Sequence, residues 1–257
     1  MKKWIRRILM LALFLICAGS IGTIAFVQWQ YKANEALYDE ASNQFTSTQK
    51  NAQEPKGDVA PIVIDFDALQ EANPDVIGWI YCEGTVIDYP IMRGEDNDFY
   101  LHHAYDKSYS VAGSIFMDYT NGANFEDSNT ILYGHHMKDK SMFATLEYWA
   151  DQAYYEEHPQ MWLLTPTQDF RIELFSGYTT SARSEAYMMY PEPCEELNTY
   201  LSQAAAKSNF QADVELDGNS HYVILSTCAY VFDNARYVVH GKLVPADSAG
   251  GTPLAVK

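Results

Sequence analysis

Near the C-terminal end of the chain a cysteine, Cys228, closes the run "YVILSTC", and an arginine, Arg236, follows eight residues later across the segment "FDNA". A strand rich in β-branched residues can hold a thiol rigidly, which a nucleophile needs. It also needs a stabilised thiolate, because a free thiol titrates at about 8.5. Two antiparallel strands joined at "FDNA" would set the Arg236 guanidinium beside the sulfur. A fixed cation there favours the thiolate and can stabilise an oxyanion on a substrate carbonyl. A core cysteine and a solvated arginine would leave the same letters, so this pair alone keeps both readings open.

A nucleophile also needs a group that moves a proton, and the stretch "ILYGHHMKDKSMF" (131–143) offers one. It reads as a strand that reaches a glycine and then His135 and His136. A histidine just past a strand end can project over a barrel opening and give a proton to a leaving amine; the alternative is a solvated loop histidine. His102, His103, His158, His221 and His240 are weaker candidates. There is no H-E-x-x-H, and adjacent residues on a strand point to opposite faces, so no metal is expected. Neither a G-x-x-x-x-G-K nor a Rossmann glycine run is present, and no cofactor is expected.

The elements that must position these residues follow from the pattern around them. "GSIFMDY" (113–119), "NTILYGHHM" (129–137), "MWLLTP" (161–166), "DFRIELFSGYTT" (169–180), "HYVILSTCAY" (221–230) and "ARYVVHGKLV" (235–244) read as strands, and two more flank the Glu83-Gly84 turn. Asp65 or Asp67 can cap a short helix through about Ala72, which Pro74 ends. Residues 141–159 and 194–209 read as helices inserted among the strands. Eight short strands with few helices predict a mostly β, α+β fold: a closed mixed β-barrel of about eight strands.

The N-terminus carries Lys2, Lys3, Arg6 and Arg7 and then 22 uncharged residues, Ile8 to Trp29. As a helix that run would span roughly 33 Å, enough to cross a bilayer. The basic residues before it put the tip in the cytoplasm and the remainder outside. "ICAGS" (16–20) offers small residues for cleavage, but a cleaved secretory core is shorter than this run, so an uncleaved anchor is the expectation. Four units are expected: a cytoplasmic tip and anchor (1–31), a stalk and linker (32–60), a catalytic domain (61–245) and a flexible tail (246–257).

Beyond the anchor's four basic residues the chain carries 34 acidic residues against 13 basic, a formal charge of −21. That surface argues against nucleic acid as a partner. Four cysteines without a C-x-x-C pair do not make a disulfide framework, although Cys82 with Cys194 is left open.

Three of these stretches, taken in order, resemble the class B sortases, membrane-anchored transpeptidases of Gram-positive cell surfaces. "ILYGHHMKDKSMF" is similar to the family's histidine segment, "ILSTC" to its cysteine motif and "ARYVVHGKL" to its arginine strand; "VIGWI" and "AGSIFMD" extend the resemblance over about 62–245. The long insertion over 181–210 favours class B. The resemblance implies a sortase-like barrel and a catalytic set of His135, Cys228 and Arg236, with His135 chosen because the family's histidine directly follows the glycine. It implies that Ser226, Asn97 and Leu101 line the groove for a sorting peptide. The implied partners are secreted proteins bearing a sorting motif and an amine of peptidoglycan or of a pilin-like subunit. Where some members place a charged residue after the cysteine, this chain has Ala229. A hydrolytic cysteine peptidase and a non-catalytic surface-binding protein are the competing functions; amide products formed with an added amine separate the first, and an inert Cys228 would mark the second.

Overall fold

The eight apolar strands of the barrel have no free edge, because they close on one another. The computed structural model describes residues 3–48 and 59–247. In chain order the elements are α1 (Lys3–Phe45), β1 (Thr46–Thr48), β2 (Ile62–Ile64), α2 (Phe66–Ala72), β3 (Val76–Tyr81), β4 (Asp88–Met92), β5 (Ile115–Met117), β6 (Asn129–Tyr133), α3 (Gln152–Glu157), β7 (Gln160–Leu164), β8 (Asp169–Ser181), α4 (Glu195–Lys207), β9 (His221–Cys228) and β10 (Ala235–Ala246). Strands β3 to β10 pair in the order β10-β8-β7-β3-β4-β5-β6-β9 as a closed barrel, while β1 and β2 form a small separate ribbon. Pairs β4–β5 and β6–β9 are parallel and the rest antiparallel, so the mixed eight-stranded barrel is as expected.

Alternation along β9 and β10 sorts their side chains into two apolar regions. Val223, Leu225, Tyr237 and Val239 enter the barrel core with Leu132, Trp79 and Ile91. Ile224 and Val238 face outward, where they pack with Ile131, Phe175 and the α4 residues Leu197, Tyr200 and Leu201. Helix α4 thus covers the outside of the wall that carries the cysteine strand.

Local chemistry sets most boundaries as anticipated. The Asp65 carboxylate accepts from the Ala68 amide at 3.0 Å and caps α2, and Gly84 turns the chain between β3 and β4 with φ +75°. Residues 141–159 differ from the single helix expected. They form a 3-10 segment, Ala144–Ala150, and then α3, because Asp151 takes an extended conformation and caps a new helix through the amides of Ala153 and Tyr154. All four cysteines are free thiols, so Cys82 and Cys194 do not pair.

Residues 32–48 differ from the stalk expected of them. Helix α1 runs on without a break to Phe45, burying Asn34, Tyr38, Ala41 and Phe45 at helical spacing against the domain. The Tyr38 hydroxyl donates to the Gly113 carbonyl at 2.7 Å, and Ser42 donates to the Asp88 carboxylate at 2.6 Å. Strand β1 then pairs with β2. At the other end Ala246 closes β10 and Asp247 bridges to Val59; the remainder of the expected linker (49–58) and tail (248–257) lies outside the described residues.

Burial raises the Asp169 carboxyl to about 6, against the lowering effect of a bond from the Thr165 backbone. An unfolded aspartate titrates at about 3.9, so the folded state holds this proton more tightly and stability falls as pH rises from about 4 through about 6. Asp169→Asn is therefore expected to raise the melting temperature at neutral pH and to leave it unchanged near pH 3, a comparison that thermal unfolding at the two pH values makes directly.

Candidate active site

In the β9–β10 pairing Cys228 stands directly opposite Arg236. Directly paired residues share a face, with Cβ atoms about 4.5–5.5 Å apart. Here that face is the outer one, since Ser226 and Cys228 continue the alternation of Ile224, and Arg236 that of Val238. The hairpin between them turns at Asn234, whose φ of +59° suits asparagine, and the Ala229 amide donates to the Ala235 carbonyl at 3.0 Å to tie off its neck. The Arg236 Nη1 donates to the Ala235 carbonyl at 3.0 Å.

The histidine arrives from the neighbouring strand. Tyr133, the last residue of β6, pairs with Ser226, and the Gly134 amide donates to the Ser226 carbonyl at 3.1 Å, which carries the ladder one residue past the strand. A Cβ on Gly134 would stand 2.5 Å from Ile115 Cδ1 and 2.7 Å from Phe143 Cδ2. Glycine lets the chain pass there without displacing either side chain, and it delivers His135 to the cleft. The His135 Nε2 is 2.8 Å from the Leu101 carbonyl. A carbonyl only accepts, so Nε2 carries the hydrogen and Nδ1 is left to exchange a proton. Burial lowers the pKa of His135, with the Leu101 carbonyl acting the other way and His102 adding to the lowering. The ring is therefore neutral at neutral pH.

The adjacent histidine serves the same cysteine from the other side. His136 Nδ1 donates to the Cys228 carbonyl at 2.8 Å, its Nε2 lies 3.7 Å from the Glu147 carboxylate, and its ring meets Tyr230 edge-on. His136 thus pins the backbone of Cys228, a role that the sequence did not reveal.

A cleft of about 390 Å³ joins these groups. All six residues expected at the site line it: His135, Cys228 and Arg236, together with Ser226, Asn97 and Leu101. The sequence had suggested the rim of the barrel; the cleft lies instead on the outer face of the β6–β9–β10 wall, close to the ends of β6 and β9. It is closed by Ala182 and Tyr187 of the long insertion and by the segment around Asn97 and Leu101.

Further cleft residues carried no sequence signal of their own. The Ser226 hydroxyl is bonded to the Tyr187 hydroxyl at 2.7 Å, and the Tyr187 ring stacks on Tyr133. Burial raises the Tyr187 phenol; the Arg236 charge works against that rise and Cys228 adds to it, so both groups act on the same hydroxyl. Tyr133 and Asn97 donate to Asp118 Oδ2 at 2.9 and 2.8 Å. Burial by itself would raise the Asp118 carboxyl. The bonds from Thr120, Asn97 and Tyr133 outweigh it and hold the carboxyl below its ordinary value.

Comparison with known proteins decides the family. The family model for the sortase domain matches residues 80–244. The chain belongs to the class B sortases. It is 34% identical over 242 residues to sortase B of Listeria monocytogenes, covering 92% of this chain and 94% of that one. With sortase B of Staphylococcus aureus it shares 31% identity over 215 residues, covering 83% and 86%. Among solved structures, a Staphylococcus aureus sortase B–substrate complex superposes with a TM-score of 0.74 at 29% identity, covering 85% of this chain and all of that one. A Bacillus anthracis sortase B superposes with a TM-score of 0.71 at 34% identity, covering 84% and 99%. Sortases are cysteine transpeptidases, and this sortase is an enzyme of that type.

Two substitutions probe how the sortase site is built. Gly134→Ala forces Ile115 or Phe143 aside, at a cost of about 1–3 kcal/mol in stability, and moves His135; turnover is expected to fall about a hundredfold, as a misplacement of about 1 Å does. Comparing melting temperature with steady-state rate checks both effects. His136→Ala removes the donor to the Cys228 carbonyl, worth about 1 kcal/mol. It is expected to lower kcat with little change in KM, and His136→Gln, which supplies an N–H again, should recover part of the loss.

Proposed function

We propose that this sortase cleaves a C-terminal sorting motif of secreted proteins after a threonine and transfers the acyl group to an amine. The reading rests on one observation above all: Cys228 and Arg236 face each other across β9 and β10, and His135 enters the same cleft.

In the proposed reaction the Cys228 thiolate attacks the threonine carbonyl, and Arg236 stabilises the oxyanion that forms. The carbon–nitrogen bond then breaks, His135 gives the departing amine the proton that its Nδ1 took from the Cys228 thiol when the thiolate formed, and a thioester to Cys228 remains. An incoming amine of a cell-wall peptide attacks that thioester and passes a proton to His135, which returns it to the departing Cys228 sulfur and so restores the thiol and the neutral ring. Each step moves one proton or one acyl group and needs only these three residues, so the mechanism calls for no cofactor. Ser226, Asn97 and Leu101 would lie along the bound peptide, and the likeness to a sortase B solved as a substrate complex supports a substrate-binding role for the matched domain. Ala229 leaves the position after the cysteine without a charge to read the motif.

Residues 1–31 would form the cytoplasmic tip and the membrane anchor, with the catalytic domain, 61–245, outside the cell. The long apolar N-terminal helix and the lysines and arginines that precede its apolar run support this topology.

Mass spectrometry of products tests the reaction. The full-length chain in detergent micelles is incubated with pooled peptides of the form Asn/Ser/Leu-Pro-x-Thr-Asn/Gly, with and without an amine acceptor, beside Cys228→Ala. Cleavage after threonine that needs Cys228 and yields an amide when amine is present is the expected result. Hydrolysis with no amide at any amine supplied would make the enzyme a peptidase, and the absence of any Cys228-dependent product would sink the catalytic reading.

A further inference from the structure

Two loops of the barrel descend beside α1 to a level that belongs to the apolar run. Lys138 and Asp139, just beyond His135, face Thr23, Ile24 and Val27 across a hollow of about 410 Å³. Tyr109 and Val111, on another loop, face Phe26 and Trp29 across one of about 330 Å³. At 1.5 Å per residue, Thr23 to Trp29 covers about 9 Å. That is close to the depth of one headgroup layer, about 5–8 Å, that borders the hydrocarbon core. The loops therefore stand where the last turns of the span leave the hydrocarbon.

The connection that holds them at that height is stiff. No break interrupts α1 between the apolar run and Phe45. Besides the bonds of Tyr38 and Ser42, the Ser110 hydroxyl donates to Asn34 Oδ1 at 2.6 Å, so the loop bearing Tyr109 is itself fastened to the helix.

The side chains at this level suit a lipid surface. Tyr109 is 67% exposed, an amphipathic ring of the kind enriched at membrane interfaces. Lys138 is exposed and makes no ion pair among the described residues. Its stem can lie along the apolar face of α1 while its ammonium reaches phosphate. Asp139, the acidic neighbour, is occupied by the Ser141 amide and hydroxyl at 3.1 and 2.7 Å.

We propose that the catalytic domain sits on the outer leaflet of the membrane, with Lys138 and Tyr109 in the phospholipid headgroup layer. This rests on the reading that Ile8–Trp29 spans the bilayer. The seating fixes the height and orientation of the cleft, because Lys138 lies three residues from His135. Acceptors and substrates that are themselves held by the membrane are then presented to the cleft at a constant level.

Depth-resolved fluorescence quenching tests the seating. The full chain is reconstituted into vesicles of phosphatidylcholine and phosphatidylglycerol that contain lipid spin-labelled either at the headgroup or deep in the acyl chain. Cys194→Ser and Cys228→Ser are present throughout, and Cys82 is buried. One protein carries the fluorophore on native Cys17; two others carry Cys17→Ser with Tyr109→Cys or, as a headgroup-depth reference, Trp29→Cys. The expected result is acyl-chain quenching at position 17 and headgroup quenching at 109 as strong as at 29. Quenching at 17 and 29 without quenching at 109 would overturn the seating and leave the anchor standing. Loss of quenching at 17 as well would overturn the anchor and the seating together.

Discussion

The chemistry proposed for this protein depends on one register, the alignment that sets Cys228 opposite Arg236. A slip of one residue between β9 and β10 would send Arg236 to the other side of the sheet. Several features forbid it. The hairpin is fixed by Asn234 and by the Ala229–Ala235 bond, while the far side of β10 is held by β8 along the whole length from Ala235 to Ala246. Both faces of the pair are buried in apolar surroundings, so a slip of β10 would also turn Val239 out to the α4 side and drive Val238 into the barrel. The two apolar regions specify the same register.

The histidine pair extends that constraint to a third strand. Strand β6 lies parallel to β9, so the ends of both strands emerge on the same side, and Gly134 continues the ladder for one further residue. Because neighbouring residues point to opposite sides, His135 turns to the Leu101 carbonyl and the cleft while His136 turns to the Cys228 carbonyl. One short segment thus brings the proposed proton-transfer group to the cleft and fastens the backbone of Cys228.

The strand pattern was legible because β-branched runs and turn residues are local signals; three motifs in order pointed to His135, Ser226, Cys228 and Arg236, and a separate stretch pointed to Asn97 and Leu101, and the fold brings all six to one cleft. The outer-face position of the cleft was not legible, since it depends on which side of β9 is covered by α4, a long-range fact. Tyr187 was missed for the same reason: it reaches Ser226 only through the fold of the insertion. Tyr38 and Phe45 could have been read from their spacing, which is the apolar stripe of a packed helix, but the polar residues around them suggested a stalk. His136 looked like a spare letter beside His135, and only the hydrogen bond to Cys228 distinguishes it.

A cleft on the outside of a barrel has a consequence for how such a protein can change. The barrel interior, around Trp79, Ile91 and Leu225, contributes stability and does not line the cleft. Tyr187, which closes the cleft beside Cys228, packs with Ala186 and α4 residues in the second apolar region. Selectivity can therefore be rewritten around Tyr187 while the scaffold's interior stays intact, and a lineage can exchange one peptide motif for another without passing through an unfolded intermediate sequence.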